Sequence, residues 1–184
     1  MKFIPTDVDG CHIVELEPIT DERGYFARAW SAEEMTEAGI VAEISQINMS
    51  SSSTAGTIRG LHWRPMTYSE AKFVRCIAGG IFDVCVDVRR GSPTYLRWVG
   101  VELTPDNRRA LAVPPGCAHG YQTLQPASEV LYAVSAPFAP GIETGVRWDD
   151  PSFGIDWPIK EAVILSEKDR GWPDFEMPGK ESGG

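Results

Sequence analysis

Positive charge is scarce in this chain. Of its 184 residues, 17 are Lys or Arg and 26 are Asp or Glu, which gives a formal net charge of -9. Binding to DNA or RNA depends on a broad basic face that neutralises phosphates and releases counterions. We therefore expect no nucleic-acid partner, although a few clustered arginines would suffice for a small phosphate ester.

Long apolar segments are also absent. No apolar run approaches the roughly eighteen residues of a transmembrane helix, and the N-terminus lacks the pattern of a signal peptide. These absences predict a cytoplasmic protein with no membrane partner. Hydrophobic residues at 42% and charged residues at 23% are typical of a folded globular chain. The length suits one domain over residues 1–184, with an extended or frayed tail from about residue 171.

Cysteine is rare and unpaired in sequence. Cys11, Cys76, Cys85 and Cys117 form no CxxC motif, and two of them lie in apolar, strand-like runs. This pattern predicts buried free thiols in a reducing compartment, with no disulfide or metal role.

Histidine is rarer still, and its spacing does not favour a metal. His12, His62 and His119 make neither an HxH nor an HxxxH pair, and His-rich metal sites need several such ligands on facing strands. A metal-dependent oxygenase or isomerase is therefore disfavoured. His12 has no other motif residue beside it and is interpreted as structural.

Glycine and proline recur at short intervals, and the runs between them are rich in β-branched and aromatic residues. This spacing predicts about ten mostly antiparallel strands and an all-β jelly roll with a few short helices. The mouth of such a barrel commonly holds a small-molecule pocket. The clearest predicted strands are Ala71 to Ala78, Phe82 to Val88, Tyr95 to Leu103, Arg109 to Val113, Gly120 to Leu124 and Glu129 to Ser135.

Local signals predict two further features. Gly79-Gly80, a two-residue loop that tolerates positive φ at both positions, is expected to close a hairpin between the first two of these strands. Ser31 followed by Glu34 forms a capping box, so a helix is expected over Ala32 to Ala38, ending at Gly39.

Side-chain alternation in the first predicted strand bears on chemistry. Lys72 shares a face with Val74 and Cys76, so the ammonium points into the cavity if that face lines the barrel interior. Near the C-terminus, the segment Leu165 to Asp169 is expected to be loop or short helix folded against the barrel.

General acid-base chemistry fits the available side chains best. No Ser or Cys stands in a signature for an activated nucleophile. Proton transfer beside a carbonyl needs a base, a group that orients it, a cation for the oxyanion and a donor on the opposite face. These parts would be His62, which follows a turn at Gly60, with Asp169, Lys72 and Tyr132. Each also has a structural interpretation, as a strand histidine, a helix cap or a core tyrosine.

Short motifs follow one another in order from about Ile13 to Asp169. They are Asp21-Glu22-Arg23-Gly24-Tyr25-Phe26, Arg59-Gly60-Leu61-His62, Ala71-Lys72-Phe73-Val74-Arg75-Cys76, Phe82-Asp83-Val84-Cys85-Val86-Asp87, Pro115-Gly116-Cys117-Ala118-His119-Gly120, Leu131-Tyr132, Trp148-Asp149-Asp150-Pro151 and Leu165-Ser166-Glu167-Lys168-Asp169. Together they resemble the dTDP-4-dehydrorhamnose 3,5-epimerase family over most of the chain.

The resemblance implies a cupin-type jelly roll, or double-stranded β-helix, that forms homodimers and uses no metal or organic cofactor. It implies epimerisation of a nucleoside-diphosphate-4-keto-6-deoxyhexose at C3, C5 or both, most simply the dTDP-4-dehydrorhamnose 3,5-epimerase reaction. The ketone acidifies the neighbouring protons, and their removal gives an enolate that is reprotonated from the other side. By this likeness His62 is the base, Asp169 its partner, Lys72 the cation at the enolate oxygen and Tyr132 the opposing acid.

The resemblance also implies groups that hold the sugar nucleotide, in which arginine forks suit the diphosphate oxygens. These groups are Arg23, Phe26, Arg28, Gln46, Asn48, Arg59, His119, Phe138, Glu143 and Lys168.

Three positions depart from the family pattern. Arg28 replaces a usual carboxylate, and because Arg only donates hydrogen bonds, cytosine or guanine becomes an alternative to thymine. Trp63-Arg64-Pro65 replaces a commoner aromatic-Gln pair, which would reshape the sugar pocket. Phe138 replaces a frequent tyrosine, which keeps stacking but loses a hydroxyl contact.

Two alternatives therefore stand beside the main hypothesis. One is a 3-only or 5-only epimerase acting on a CDP- or GDP-linked keto sugar, and the other is a catalytically silent sugar-nucleotide-binding jelly roll. The presence of acid, base and cation together favours an active enzyme.

Overall fold

Most of the chain forms β-strands, and the computed structural model describes residues 1–176. The elements in chain order are β1 (Lys2–Pro5), β2 (His12–Glu15), β3 (Ile19–Asp21), β4 (Gly24–Phe26), α1 (Ala32–Glu37), β5 (Gln46–Ser52), β6 (Ile58–Trp63), a 3-10 turn (Met66–Tyr68), β7 (Lys72–Ala78), β8 (Ile81–Val86), β9 (Trp98–Leu103), β10 (Ala110–Val113), β11 (Ala118–Thr123), β12 (Ser128–Val134), β13 (Thr144–Gly145) and α2 (Glu167–Arg170).

Two antiparallel sheets face each other. One has six strands in the order β1-β2-β10-β7-β12-β5, and the other has five in the order β13-β6-β11-β8-β9. From β5 to β12 the chain passes repeatedly between these sheets, which is the winding of a jelly roll. A separate two-stranded hairpin is formed by β3 and β4. The predicted all-β jelly roll with a few short helices is confirmed.

Strand alternation explains how the core is built. Val74 and Cys76 of β7 and Leu111 of β10 point between the sheets, where they meet Cys85 of β8. On the other face of the five-stranded sheet, Val84 packs in a second apolar cluster that includes side chains from the segment after β13. Strand β8 is thus covered on both sides. The face that Lys72 shares with Val74 and Cys76 lies inside the barrel, as the alternation predicted.

The predicted Gly79-Gly80 hairpin is wrong. Strand β7 pairs with β10 and β12, whereas β8 pairs with β9 and β11, so the two glycines lie at a corner between sheets. Only Gly79 has a positive φ, at 69°. A Cβ there would lie 2.4 Å from the Ser128 Oγ. Each of β7 and β8 already pairs with a strand on both of its edges, so the two cannot also pair with each other as a hairpin.

Two strand starts and one turn also differ from the prediction. Tyr95 lies in a turn and β9 begins only at Trp98, while β11 begins at Ala118, two residues before the predicted Gly120. Gly60 lies within β6 and is not a turn. Its φ is 126°, and a Cβ there would lie 2.6 Å from the Gly120 Cα, so glycine allows β6 and β11 to approach closely.

Both helices follow their capping signals. Ser31 caps α1 by accepting a hydrogen bond from the Glu34 backbone N–H at 3.4 Å, and Gly39 follows the helix with a φ of 72°. Ser166 caps α2 in the same way through the N–H of Asp169 at 3.0 Å. The predicted fraying of the last few residues falls outside the described residues. Within residues 1–176, no helix is long and apolar enough to cross a membrane.

Candidate active site

A cavity of about 900 Å³ opens between the two sheets. The apolar side chains of Val74, Tyr121 and Val130 belong both to the core and to its wall. All the predicted catalytic residues line it, namely His62, Lys72, Tyr132 and Asp169. Seven predicted binding residues also line it, namely Gln46, Asn48, Arg59, His119, Phe138, Glu143 and Lys168.

His62 and Asp169 form a close pair at this cavity. Strand β6 carries the imidazole and α2 carries the carboxylate, with 2.5 Å between His62 Nε2 and Asp169 Oδ1. Burial raises the pKa of Asp169, but hydrogen bonds from His62 and Ser166 and the charge of His62 outweigh it, so that pKa lies below its usual value. An ionised carboxylate only accepts, so Nε2 is the donor and Nδ1 is left to take a proton.

Tyr132 occupies the opposite wall. It lies on β12 of the six-stranded sheet, whereas His62 lies on β6 of the five-stranded sheet. Burial raises the pKa of the Tyr132 phenol, the negative charges of Glu143 and Glu70 raise it further, and the positive charge of Arg59 lowers it in part. The phenol therefore stays protonated at neutral pH and is able to donate.

Lys72 is the cation beside them. Its strand β7 pairs with β12, in a register that sets Val74 opposite Tyr132. Its Nζ lies 3.7 Å from the Glu70 Oε1, and its side chain is largely covered. The ammonium is thus placed on the same wall as the phenol, where it can neutralise charge that develops in the cavity.

A second His-Asp pair lies next to the first. His119 on β11 is opposite His62 on β6, and its Nε2 lies 2.7 Å from Oδ1 of Asp83, which is fully buried. His119 is therefore held at the cavity wall by a carboxylate. The sequence signal for Asp83 was its place as a charged residue within the predicted strand Phe82 to Val88.

The remaining polar groups form a rim. Gln46 donates to Asn48 at 3.0 Å and accepts from the Phe138 N–H at 2.8 Å, which fixes the loop that carries the exposed Phe138 ring. Lys168 donates to Glu143 at 2.5 Å. Separately, Arg59 donates to the Ser51 carbonyl at 3.0 Å. This rim offers cations, amides and an aromatic face around a polar ligand.

Among residues 1–176, no group of three or more His, Cys, Asp or Glu side chains is arranged to hold a metal ion. The four cysteines are buried and free of disulfides. Burial raises the pKa of Cys76 to about 11, and burial, with hydrogen bonds to Cys11 and Cys117, raises that of Cys85. Cys76 and Cys85 are therefore less readily ionised than ordinary thiols.

The sequence profile of the dTDP-4-dehydrorhamnose 3,5-epimerase family matches residues 5–177. The chain belongs to this family. It is 43% identical to the dTDP-4-dehydrorhamnose 3,5-epimerase of Methanothermobacter thermautotrophicus, over 93% of this chain and 92% of the relative.

Solved structures of family members superpose closely on the chain. The dTDP-4-dehydrorhamnose 3,5-epimerase of Elizabethkingia anophelis has a TM-score of 0.92 at 37% identity, covering 95% of this chain and 96% of that one. An epimerase from Legionella pneumophila in complex with dTDP-4-keto-L-rhamnose has a TM-score of 0.87 at 37% identity, covering 94% and 92%. The predictions of family, of a cupin-type fold and of an isomerase are confirmed.

Three predicted binding residues of the family pattern do not reach this cavity within one chain. Arg23 and Phe26 lie on or beside the β3–β4 hairpin, with the Phe26 residue 73% exposed and Arg23 paired with Asp21. The guanidinium of Arg28 lies 2.5 Å from the Glu34 carboxylate. Their binding role stays a prediction.

Sequence reasoning missed two residues that lie beside predicted catalytic side chains. Trp172, in the predicted tail, lies with its ring centroid 6.0 Å from that of His62 in an edge contact. Its indole also packs against Gly145, where a Cβ would be only 2.4 Å away. Glu70 lies two residues before Lys72 and faces it. The available signal for Trp172 was its position shortly after the Lys168-Asp169 motif. The available signal for Glu70 was its short spacing to Lys72.

Proposed function

We propose that this protein epimerises C3 and C5 of a nucleoside-diphosphate-4-keto-6-deoxyhexose, as a dTDP-4-dehydrorhamnose 3,5-epimerase. The main support for this proposal is the placement of two side chains in the cavity. The imidazole of His62 and the phenol of Tyr132 project from opposite sheets into one cavity. Inversion at a carbon requires removal of a proton from one face and its return from the other, which two groups so opposed can perform.

The first step is deprotonation. Nδ1 of His62 takes the proton from the carbon beside the ketone, while Asp169 holds the imidazole and stabilises its positive charge. The electrons of the C–H bond move to the ketone oxygen and form an enolate. The Lys72 ammonium neutralises that oxygen.

The second step is reprotonation. Tyr132 gives its proton to the opposite face of the carbon, and the enolate electrons return to form the C–H bond. The ring carbon is then inverted, His62 carries one extra proton and Tyr132 has lost one. Exchange with water restores both groups, and the cycle repeats at the second carbon.

The nucleotide is proposed to be dTDP, since the relatives reported above are dTDP-sugar epimerases. Recognition of cytosine or guanine in place of thymine would need Arg28 as a free donor. Its guanidinium is instead paired with Glu34, which also binds the N-terminal ammonium at 2.6 Å. A thermal-shift panel tests this point, because dTDP should raise the melting temperature more than CDP, GDP or UDP at equal concentration. A larger shift with CDP or GDP would support the alternative base.

The proposal includes a homodimer in which the β3–β4 hairpin of one subunit completes the site of the other. Its apolar side chains Ile19, Tyr25 and Phe26 are exposed by 72%, 53% and 73%. The outer face of the six-stranded sheet also leaves Ile47 and Met49 exposed. Apolar groups displayed in this way are typical of a surface that a partner covers.

The cytoplasmic location predicted from the sequence is kept as part of the proposal.

Isotope exchange tests the function. Incubation of the protein with dTDP-4-keto-6-deoxyglucose in deuterium oxide should place deuterium at both C3 and C5. Label at one carbon alone would mean a single-site epimerase. Nucleotide binding with no label at either carbon would mean the catalytically silent binding protein.

A further inference from the structure

A buried ion pair lies in the cavity wall next to Lys72. The Arg64 Nη2 is 3.1 Å from the Glu70 Oε2, and the two side chains are only 9% and 8% exposed. Both residues line the cavity. Arg64 also donates from Nη1 to the Pro137 carbonyl at 3.1 Å, which ties it to the loop that carries Phe138.

Glu70 lies between two cations but is closer to one of them. Arg64 approaches it to 3.1 Å, whereas the Lys72 Nζ stays 3.7 Å from Oε1, beyond ordinary hydrogen-bond distance. Within residues 1–176, Glu70 Oε2 accepts no hydrogen bond of good geometry. The carboxylate thus has unused acceptor capacity, and Lys72 has donors that remain available to a ligand.

Removing Arg64 would change this balance. A buried carboxylate must be neutralised by a nearby cation, because leaving it unpaired is strongly unfavourable. Lys72 would then be the nearest cation to Glu70. Its ammonium would close to the distance of about 2.8 Å that is normal for a charge-assisted hydrogen bond. An ammonium engaged in this way is drawn away from a substrate oxygen.

We propose that Arg64 is a positioning residue of the epimerase, which holds Glu70 and thereby keeps the Lys72 ammonium free for the enolate oxygen. The inference rests on the proposed function, which assigns that oxygen to Lys72. It gives a role to Trp63-Arg64-Pro65, the segment that departs from the family's common aromatic-Gln pair.

A structural test does not depend on activity. In a crystal structure of Arg64→Gln, the Lys72 Nζ should lie within about 3 Å of a Glu70 carboxylate oxygen. In Arg64→Gln/Glu70→Gln, where no buried carboxylate remains, Lys72 should return to its parental position. A Nζ that stays at its parental distance in the single variant overturns the proposal.

A kinetic test uses deuterium exchange with saturating keto sugar. Arg64→Gln should exchange at least about tenfold more slowly than the parent, and the double variant should recover to within about threefold. In a Lys72→Met background, Arg64→Gln should cost no more than about twofold further, because its effect acts through the ammonium. Equal dTDP affinity and melting temperatures well above the assay temperature establish that all variants are folded.

The outcomes separate the two proposals. No exchange by the parent protein refutes the proposed function, while the position of Lys72 in the variant crystals still decides this inference. Exchange by the parent and by Arg64→Gln at equal rates overturns the positioning role alone. The proposal is also overturned if Arg64→Gln slows exchange by the same factor in the Lys72→Met background as in the parent. A purely structural role of Arg64 predicts that result, because its effect would then add to that of Lys72→Met.

Discussion

His62 Nε2 donates to Asp169 Oδ1 across 2.5 Å, and this contact joins β6 to the helix α2, 107 residues further along the chain. The contact fixes both the orientation of the ring and the nitrogen that remains able to accept a proton. It also brings a short C-terminal helix to the wall of the cavity.

Asp169→Asn should lower the exchange rate by about 10²–10⁴-fold with little change in dTDP affinity. The amide can present its carbonyl or its NH₂ group to the ring, but it cannot stabilise the imidazolium. Ser166→Ala is the matched control, because it removes the N-cap of α2 and leaves the carboxylate in place. It should cost about 1 kcal/mol of unfolding free energy and only a small part of the rate. If Asp169→Asn exchanges deuterium at the parental rate, the proposed role of Asp169 as the partner of His62 is contradicted.

Tyr132 should set the alkaline limit of activity. Burial and the charges of Glu143 and Glu70 raise the pKa of the phenol, so the alkaline fall of kcat/KM should come at a higher pH than the ionisation of an ordinary tyrosine. Glu143→Gln removes a negative charge that favours the protonated phenol, so the alkaline limb should move to lower pH. The pH profile of kcat/KM for both proteins measures this. If the alkaline limb of kcat/KM lies at the same pH in both proteins, a group other than Tyr132 controls it.

Gly60→Ala should destabilise the fold by more than about 3 kcal/mol, because its Cβ would overlap the backbone of β11 at an unfavourable φ. Gly39→Ala is the control, since Gly39 also has a positive φ but nothing lies within 4 Å of its Cβ position. That variant should lose only about 1 kcal/mol. Urea unfolding midpoints compare the two. If the two variants lose equal unfolding free energy, the positive φ alone explains the glycine at position 60, without the close approach of β11.

Subunit complementation tests the proposed dimer. His62→Asn and Phe26→Ala should each be nearly inactive in exchange, the first through lost chemistry and the second through lost substrate contact from the hairpin. If each site combines one subunit's cavity with its partner's hairpin, denaturing and refolding the two together should restore about a quarter of parental activity. No recovery, with heterodimers present by mass spectrometry, would place Phe26 outside the partner's site.

The sequence predicted side-chain direction better than the pairing of strands. Alternation along β7 was enough to place Lys72 on the interior face, because side-chain direction is a local property of a strand. The partner of β7 is not local, and a glycine pair that resembles a hairpin turn proved to be a corner between sheets. Motif order made His62 and Asp169 candidates, and the fold brings their side chains together.

Other site features depend on contacts that no local pattern encodes. Asp83 was visible as a polar residue in a strand, but its contact with His119 depends on the register of β8 against β11. Trp172 lies beyond the last motif and reaches His62 only because the chain folds back over Gly145. Arg23 and Phe26 lie on or beside the β3–β4 hairpin, away from the cavity, and their binding role stays a prediction.

The most direct test of the account is Tyr132→Phe incubated with the keto sugar in deuterium oxide, with exchange and inversion followed together by NMR. His62 can still remove a proton and return a deuteron to the same face, so deuterium should enter C3 and C5 much faster than either centre inverts. If exchange and inversion fall by the same factor, Tyr132 is not the acid on the opposite face.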